Sequence, residues 1–68
     1  MSWQSDLIKM FTDAWGLSKE SGQEAVDRIE ELNDVTDGAV EEILVDCGVD
    51  AGAAEIAAPV IVAGIEAA

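Results

Sequence analysis

The sequence predicts an all-α fold, a compact bundle of four short helices in one domain spanning residues 1–68. Three observations lead there. Half of the residues are hydrophobic, enough apolar surface to offset the entropy of ordering even at a net charge of −12. Apolar residues recur three and four positions apart along most of the chain, the spacing that lines one face of a helix. Three short breaks each join a helix stop signal to a helix start signal.

The first helix carries Leu7, Ile8, Phe11, Ala14 and Trp15 at helical spacing, with Trp3 one turn earlier and Asp6 in the first turn, where the helix dipole favours an anion. Gly16 supplies the left-handed residue that ends it, and Gly16-Leu17-Ser18 forms the first break. The second helix is expected to open on a capping box, Ser21 with Glu24, in which hydroxyl and carboxylate each satisfy a free backbone N–H. Its apolar face is Ala25, Val26, Ile29 and Leu32, and it is expected to end near Asn33. Thr36 caps the third helix, with Val35 and Val40 placed for a hydrophobic staple, and Val40, Ile43, Leu44 and Cys47 face one way. Gly48 stops it, and Val49 is positioned to fold back on Leu44 in a Schellman ending. The second and third helices share an Ala-Val-acid-x-Ile pattern at residues 25–29 and 39–43, two amphipathic helices meeting one demand rather than a repeat.

Asp50 caps the last segment, Ala51 to about Ala67, which is apolar nearly all round apart from Glu55 and Glu66. Pro59 lacks a donor and collides with the preceding turn, so the segment is either kinked there, the expected outcome, or split into two short helices with Pro59 opening the second. Ile56, Val60 and Ala63 line one side; Ile61 and Ile65, with Ala57 or Ala58, line another. One side enters the core and the other is left to meet a partner, and Ile61 is expected on the outward side. The alternative is a fully buried central helix in a compact monomer. Small residues at Ala53, Ala54, Ala57, Ala58, Ala63 and Gly64 permit close helix approach.

Composition excludes several classes of function. With 15 acidic and 3 basic residues, the chain is repelled by phosphate backbones and anionic headgroups, so neither nucleic acid nor a membrane surface is an expected partner. The longest uncharged stretch, Ile56 to Ile65, would make about 15 Å of helix where roughly 30 Å is needed to span a bilayer. No secretory signal follows Met1 and the single Cys47 has no partner for an internal disulfide, which points to the cytoplasm or the inside of an assembled particle. There is no histidine or tyrosine, and none of the four serines lies beside an obvious proton acceptor, so no enzyme, catalytic residue or cofactor is expected. Cys47 lies at a helix C-terminus beside Asp46, where a thiol pKa rises, and reads as a small core residue.

The stretch Asn33-Asp34-Val35-Thr36-Asp37-Gly38 superficially follows the start of an EF-hand loop. With Gly38 at the sixth position, however, the third is Val35 and the twelfth Leu44, where oxygen ligands are required. A weaker site from Asp34, Asp37 and Glu41 competes with a plain solvated loop, and no metal is expected. The Asp-Ser-Leu motif that carries the prosthetic arm of acyl carrier proteins is absent: Ser5 precedes Asp6 and Ser18 precedes Lys19. No helix carries enough basic residues to read DNA in a helix-turn-helix.

Two positive features remain. Glu20, Glu24, Asp27 and Glu31 stack along one face of the second helix, with Asp34 just beyond, and each like-charge pair costs about 0.2–0.5 kcal/mol, softened by Arg28 at favourable spacing from Glu24. Asp37, Glu41, Glu42 and Asp46 add to the field from the third helix. Such rows can occupy the basic groove of a nucleic-acid-binding protein, keep a small protein soluble, or adapt it to molar salt, where screening falls to about 3 Å. The other feature is apolar: Trp3, Trp15, Ile56, Val60, Ile61 and Ile65 are candidate anchors of a protein contact, although for Trp3 and Trp15 the core is the commoner place for large aromatics at helical spacing. The leading expectation is a non-enzymatic structural or assembly protein, a subunit of a small virion, filament or homo-oligomer. The alternative is an acidic nucleic-acid mimic, for example a phage-encoded anti-defence protein, using Glu20, Glu24, Asp27, Glu31 and Asp34. The partner is accordingly a second copy or a basic protein surface.

Overall fold

In the computed structural model, which describes residues 2–68, four helices follow one another in the order the breaks predict. Helix α1 spans Trp3–Lys9 and runs without interruption into a π-helical turn, Met10–Ala14; α2 spans Lys19–Glu30, α3 Asp37–Asp46 and α4 Ala51–Ala67. The most extensive packing is between α3 and α4; α1 lies chiefly on α2 and touches α4 along a narrower seam.

Each start is fixed by a side chain that takes a free N–H of the first turn. Ser2 Oγ accepts from Ser5 N at 3.1 Å, Ser18 Oγ from Ser21 N at 3.0 Å, Thr36 Oγ1 from Ala39 N at 3.2 Å, and Asp50 Oδ2 from Gly52 N at 3.1 Å. Thr36 and Asp50 stand where the sequence places them. The capping box does not: α2 begins three residues earlier, with Ser18 as its cap and Ser21 already in the first turn. Ser18 caps the N–H of Ser21 just as Ser21 would cap that of Glu24, and the chain takes the first cap available after the Gly16 reversal. Helix α2 also ends sooner than Asn33, with Glu31 as its C-cap.

The ends of α1 and α3 use left-handed glycines, Gly16 at φ 64° and Gly48 at φ 106°. At α3 the Schellman ending forms as expected: Val49 N donates to Leu44 O at 2.9 Å and Gly48 N to Val45 O at 3.0 Å. Leu44 and Val49 are both buried. At α1 the last turn is wider than an α-helix allows, Trp15 N reaching back five residues to Met10 O at 3.0 Å. Thr12 Oγ1 donates to Lys9 O at 3.1 Å, the kind of side-chain competition for carbonyls that loosens a helix. Ala14, expected on the core face, is exposed, while Trp15 keeps an edge-to-face contact with Phe11 at 5.2 Å between centroids.

The core is one cluster to which every helix contributes: Leu7 and Phe11 from the first, Ala25, Val26 and Ile29 from the second, Val40, Ile43, Leu44 and Cys47 from the third, and Ala54, Ala57, Ala58, Ile61 and Val62 from the last. No buried polar or charged residue interrupts it among the described residues. Gly22 is the point of closest approach between α2 and α1, since a Cβ there would lie 3.2 Å from Ile8 Cα and 3.2 Å from Phe11 Cβ. The chain exposes 4065 Å², close to the roughly 4,100 Å² that scaling gives a folded monomer of 7.1 kDa. The bundle is therefore closed upon itself.

Helix α4 continues through Pro59 as one element of 17 residues, so the division into two short helices does not occur. Pro59 and Glu55 are both exposed, and the Glu55 carbonyl loses its helical donor to the proline ring. No helix among the described residues is long and apolar enough to cross a membrane.

Candidate functional site

An apolar helix without a polar face has no built-in asymmetry to say which side turns inward, and its neighbours decide. In α4 the side bearing Ala54, Ala57 and Ala58 is buried, Ile61 and Val62 go in with them, and the helix packs chiefly on α3. Ile61 is only 6% exposed, so its expected outward placement is reversed. The outward side is the other one: Ile56 is 77% exposed and Val60 65%. Ala63 and Gly64 are exposed next to them, and Ile65 is half-buried against the core.

Beside this row lies a cleft of about 200 Å³ between α1 and α4, lined by Trp3, Leu7, Met10, Val60, Ile61 and Gly64, with Asp6 at its edge. Trp3 packs above Gly64, where a Cβ would sit 4.0 Å from the Trp3 Cβ. Trp3, half-buried, therefore belongs to the cleft. Trp15, also half-buried, does not line it and packs on Phe11 instead. Of the six apolar candidates the structure thus brings together Trp3, Ile56 and Val60 at the surface, puts Ile61 beneath them, and leaves Ile65 and Trp15 aside. Met10 is the member that sequence reasoning missed; it shares a helical face with Trp3 and Leu7, a signal present in the spacing.

The acidic candidates Glu20, Glu24, Asp27, Glu31 and Asp34 are all exposed. The first three stand on α2, Glu31 is its C-cap and Asp34 lies in the following loop. Arg28 makes its ion pair across to α3, Nη2 lying 3.3 Å from Asp46 Oδ2. That contact pushes the guanidinium pKa further up. Within the row, Asp27 accepts from Gln23 Nε2 at 3.0 Å and Glu24 accepts from Cys47 Sγ at 3.5 Å. Burial, and then the hydrogen bond to Glu24, raise the Cys47 thiol above its ordinary value. Cys47 is buried within the core cluster, as its spacing predicts, and a thiol held protonated there is a poor nucleophile.

A second, more polar groove of about 280 Å³ runs between α2 and α3, lined by Arg28, Glu31, Leu32, Ala39, Glu42 and Ile43. Among the described residues no three acidic or cysteine side chains converge closely enough to hold a metal ion, the Asp34, Asp37 and Glu41 group included.

No protein-family model, curated protein or solved structure matches this chain.

Proposed function

We propose that the chain is a non-enzymatic assembly protein, the subunit of a small oligomer, filament or particle, that acts through the apolar face formed by α4 and α1. The observation that carries this is the exposure of Ile56 and Val60, one turn apart, beside a cleft walled by Trp3 and Met10. Isolated exposed apolar side chains are ordinary, whereas two large aliphatics contiguous with an apolar cleft make a patch of the kind that protein contacts cover. The closed core supports the same reading, because these residues are not needed to complete it. Val60→Glu tests it: the parent is expected to assemble at micromolar concentration by light scattering, and the variant to fold with unchanged helicity and stay single. Assembly undiminished by Val60→Glu refutes the assignment.

One observation favours a second reading, an acidic inhibitor that occupies the basic groove of a nucleic-acid-binding protein. Glu20, Glu24, Asp27 and Glu31 are exposed, and Arg28, the basic side chain among them, turns away to Asp46. Replacing Glu24, Asp27 and Glu31 together by Gln is expected to abolish binding to a basic partner while raising the melting temperature in dilute buffer, an increase that vanishes near 1 M salt as screening shortens to about 3 Å. Binding of equal strength ends that reading.

A further inference from the structure

The row Ile56, Val60, Gly64 along the open side of α4 tapers from a large side chain through a medium one to none. Its residues are four apart, so they form one ridge of the helix surface. We propose that this ridge meets the same ridge of a second copy, antiparallel about a twofold axis at Val60, so that Ile56 of each copy seats over Gly64 of the other. The inference rests on the assembly reading above and deepens it by naming the partner and its register.

Three features of the structure favour a second copy as the occupant. The first is shape. In an antiparallel pair centred on Val60, position 56 faces position 64 at both ends, matching the largest side chain to the missing one; in a parallel pair Ile56 faces Ile56 and Gly64 faces Gly64, leaving a collision and a void. Gly64 already lies on an open cleft of about 200 Å³, which Trp3, Asp6, Met10 and Val60 also line, and a side chain of the other copy enters there. A twofold contact of this kind is self-complementary, which is what a closed pair of identical chains requires.

The second is charge. The molecule carries −12, and a copy approaching along α2 or α3 sets carboxylate rows against carboxylate rows. From Gly52 to Ile65 the only charged residue of α4 is Glu55, which lies off the ridge. Repulsion elsewhere thus selects the α4 face for contact between copies, and a basic partner, drawn to the carboxylate rows of α2 and α3, finds only the single carboxylates of Glu55 and Asp6 here.

The third is area. A stable pair buries about 800 Å² on each partner, about a fifth of the 4065 Å² exposed by this chain. The ridge from Ile56 to Gly64 runs about 12 Å along α4, and Trp3 of α1 and Met10 of the π-helical turn widen the contact across the cleft.

Sedimentation equilibrium at about 0.1 M and about 1 M salt, the range over which surface repulsion is screened out, is expected to give twice the 7.1 kDa chain mass, more completely at the higher salt. The register is tested in a Cys47→Ala background whose helicity is first checked by circular dichroism. Oxidation of a mixture of Ile56→Cys and Gly64→Cys chains is expected to give a disulfide-linked pair, as is Val60→Cys alone, while Ile56→Cys alone and Gly64→Cys alone stay single. Ile56→Cys linking to itself, or a mass well beyond two chains, keeps the assembly reading and overturns the twofold pairing. A monomer at both salt concentrations up to millimolar protein overturns both.

Discussion

The close approach at Gly22 makes a prediction with a built-in control, because Gly22 and Gly38 are both helical glycines and the structure assigns opposite signs to the same substitution. A methyl group at residue 22 would lie 3.2 Å from Ile8 Cα, 3.2 Å from Phe11 Cβ and 3.3 Å from Phe11 Cγ. Carbon atoms prefer about 3.5–4.0 Å, so a few tenths of an ångström must be found. Neither neighbour yields easily: Ile8 Cα is main chain next to the π-helical turn, and Phe11 is fully buried. Overpacking of this kind costs about 1–3 kcal/mol, against a gain of about 1 kcal/mol from replacing a glycine inside a helix. The net expectation for Gly22→Ala is a loss of about 1 kcal/mol. At Gly38 nothing lies within 4 Å of the added methyl, and Gly38→Ala in the first turn of α3 is expected to gain about 0.5 kcal/mol. The two variants should then differ by about 1.5 kcal/mol, or about 6–12 °C in melting temperature for a chain of this size. Thermal melts followed by circular dichroism, run side by side, read this difference directly. A Gly22→Ala variant that melts at or above Gly38→Ala would refute the claim that α1 and α2 are in contact at their limit of approach.

Leu44 is fully buried in the core and forms part of the Schellman ending with Val49. Leu44→Ala is expected to lose about 2–5 kcal/mol, out of the roughly 3–10 kcal/mol a chain of this length commands, so its urea midpoint should fall by about half; a midpoint within a few tenths molar of the parent would contradict the assigned core. Cys47 gives a pH prediction. Its thiol pKa is raised in the folded state from an ordinary 9.0, so between that value and the higher folded one the folded chain holds a proton the unfolded chain has lost. Stability is therefore complete below about pH 9 and declines as pH rises through the folded pKa, and Cys47→Ala is expected to flatten that part of the profile, as checked by urea midpoints from pH 7 to about 10. An unchanged alkaline slope would show that other groups set it.

Most of the local architecture was legible in the residues because it is governed by contacts a few positions apart. Thr36 and Asp50 start their helices with a side-chain acceptor, and Gly16 and Gly48 end theirs in a backbone region that side-chain-bearing residues avoid. The periodic faces Ala25, Val26, Ile29 and Val40, Ile43, Leu44, Cys47 turn inward as their spacing requires. Where two local solutions compete, the sequence is ambiguous: Ser18 and Ser21 both offer a cap, and the chain uses the first. The widening of the first helix at Met10–Ala14 has no distinct signature, since the same residues satisfy α-helical spacing. The orientation of α4, by contrast, is set by its neighbours in space. Its two apolar sides are equivalent to any measure of periodicity, and packing against α3 and α1 turns the side bearing Ala54, Ala57 and Ala58 inward. That choice buries Ile61, exposes Ile56 and Val60, and creates the cleft beneath Trp3. The exchange of Arg28 from Glu24 to Asp46 has the same origin, because a helix partner four residues away competes with one 18 residues distant that only the α2–α3 packing brings within reach.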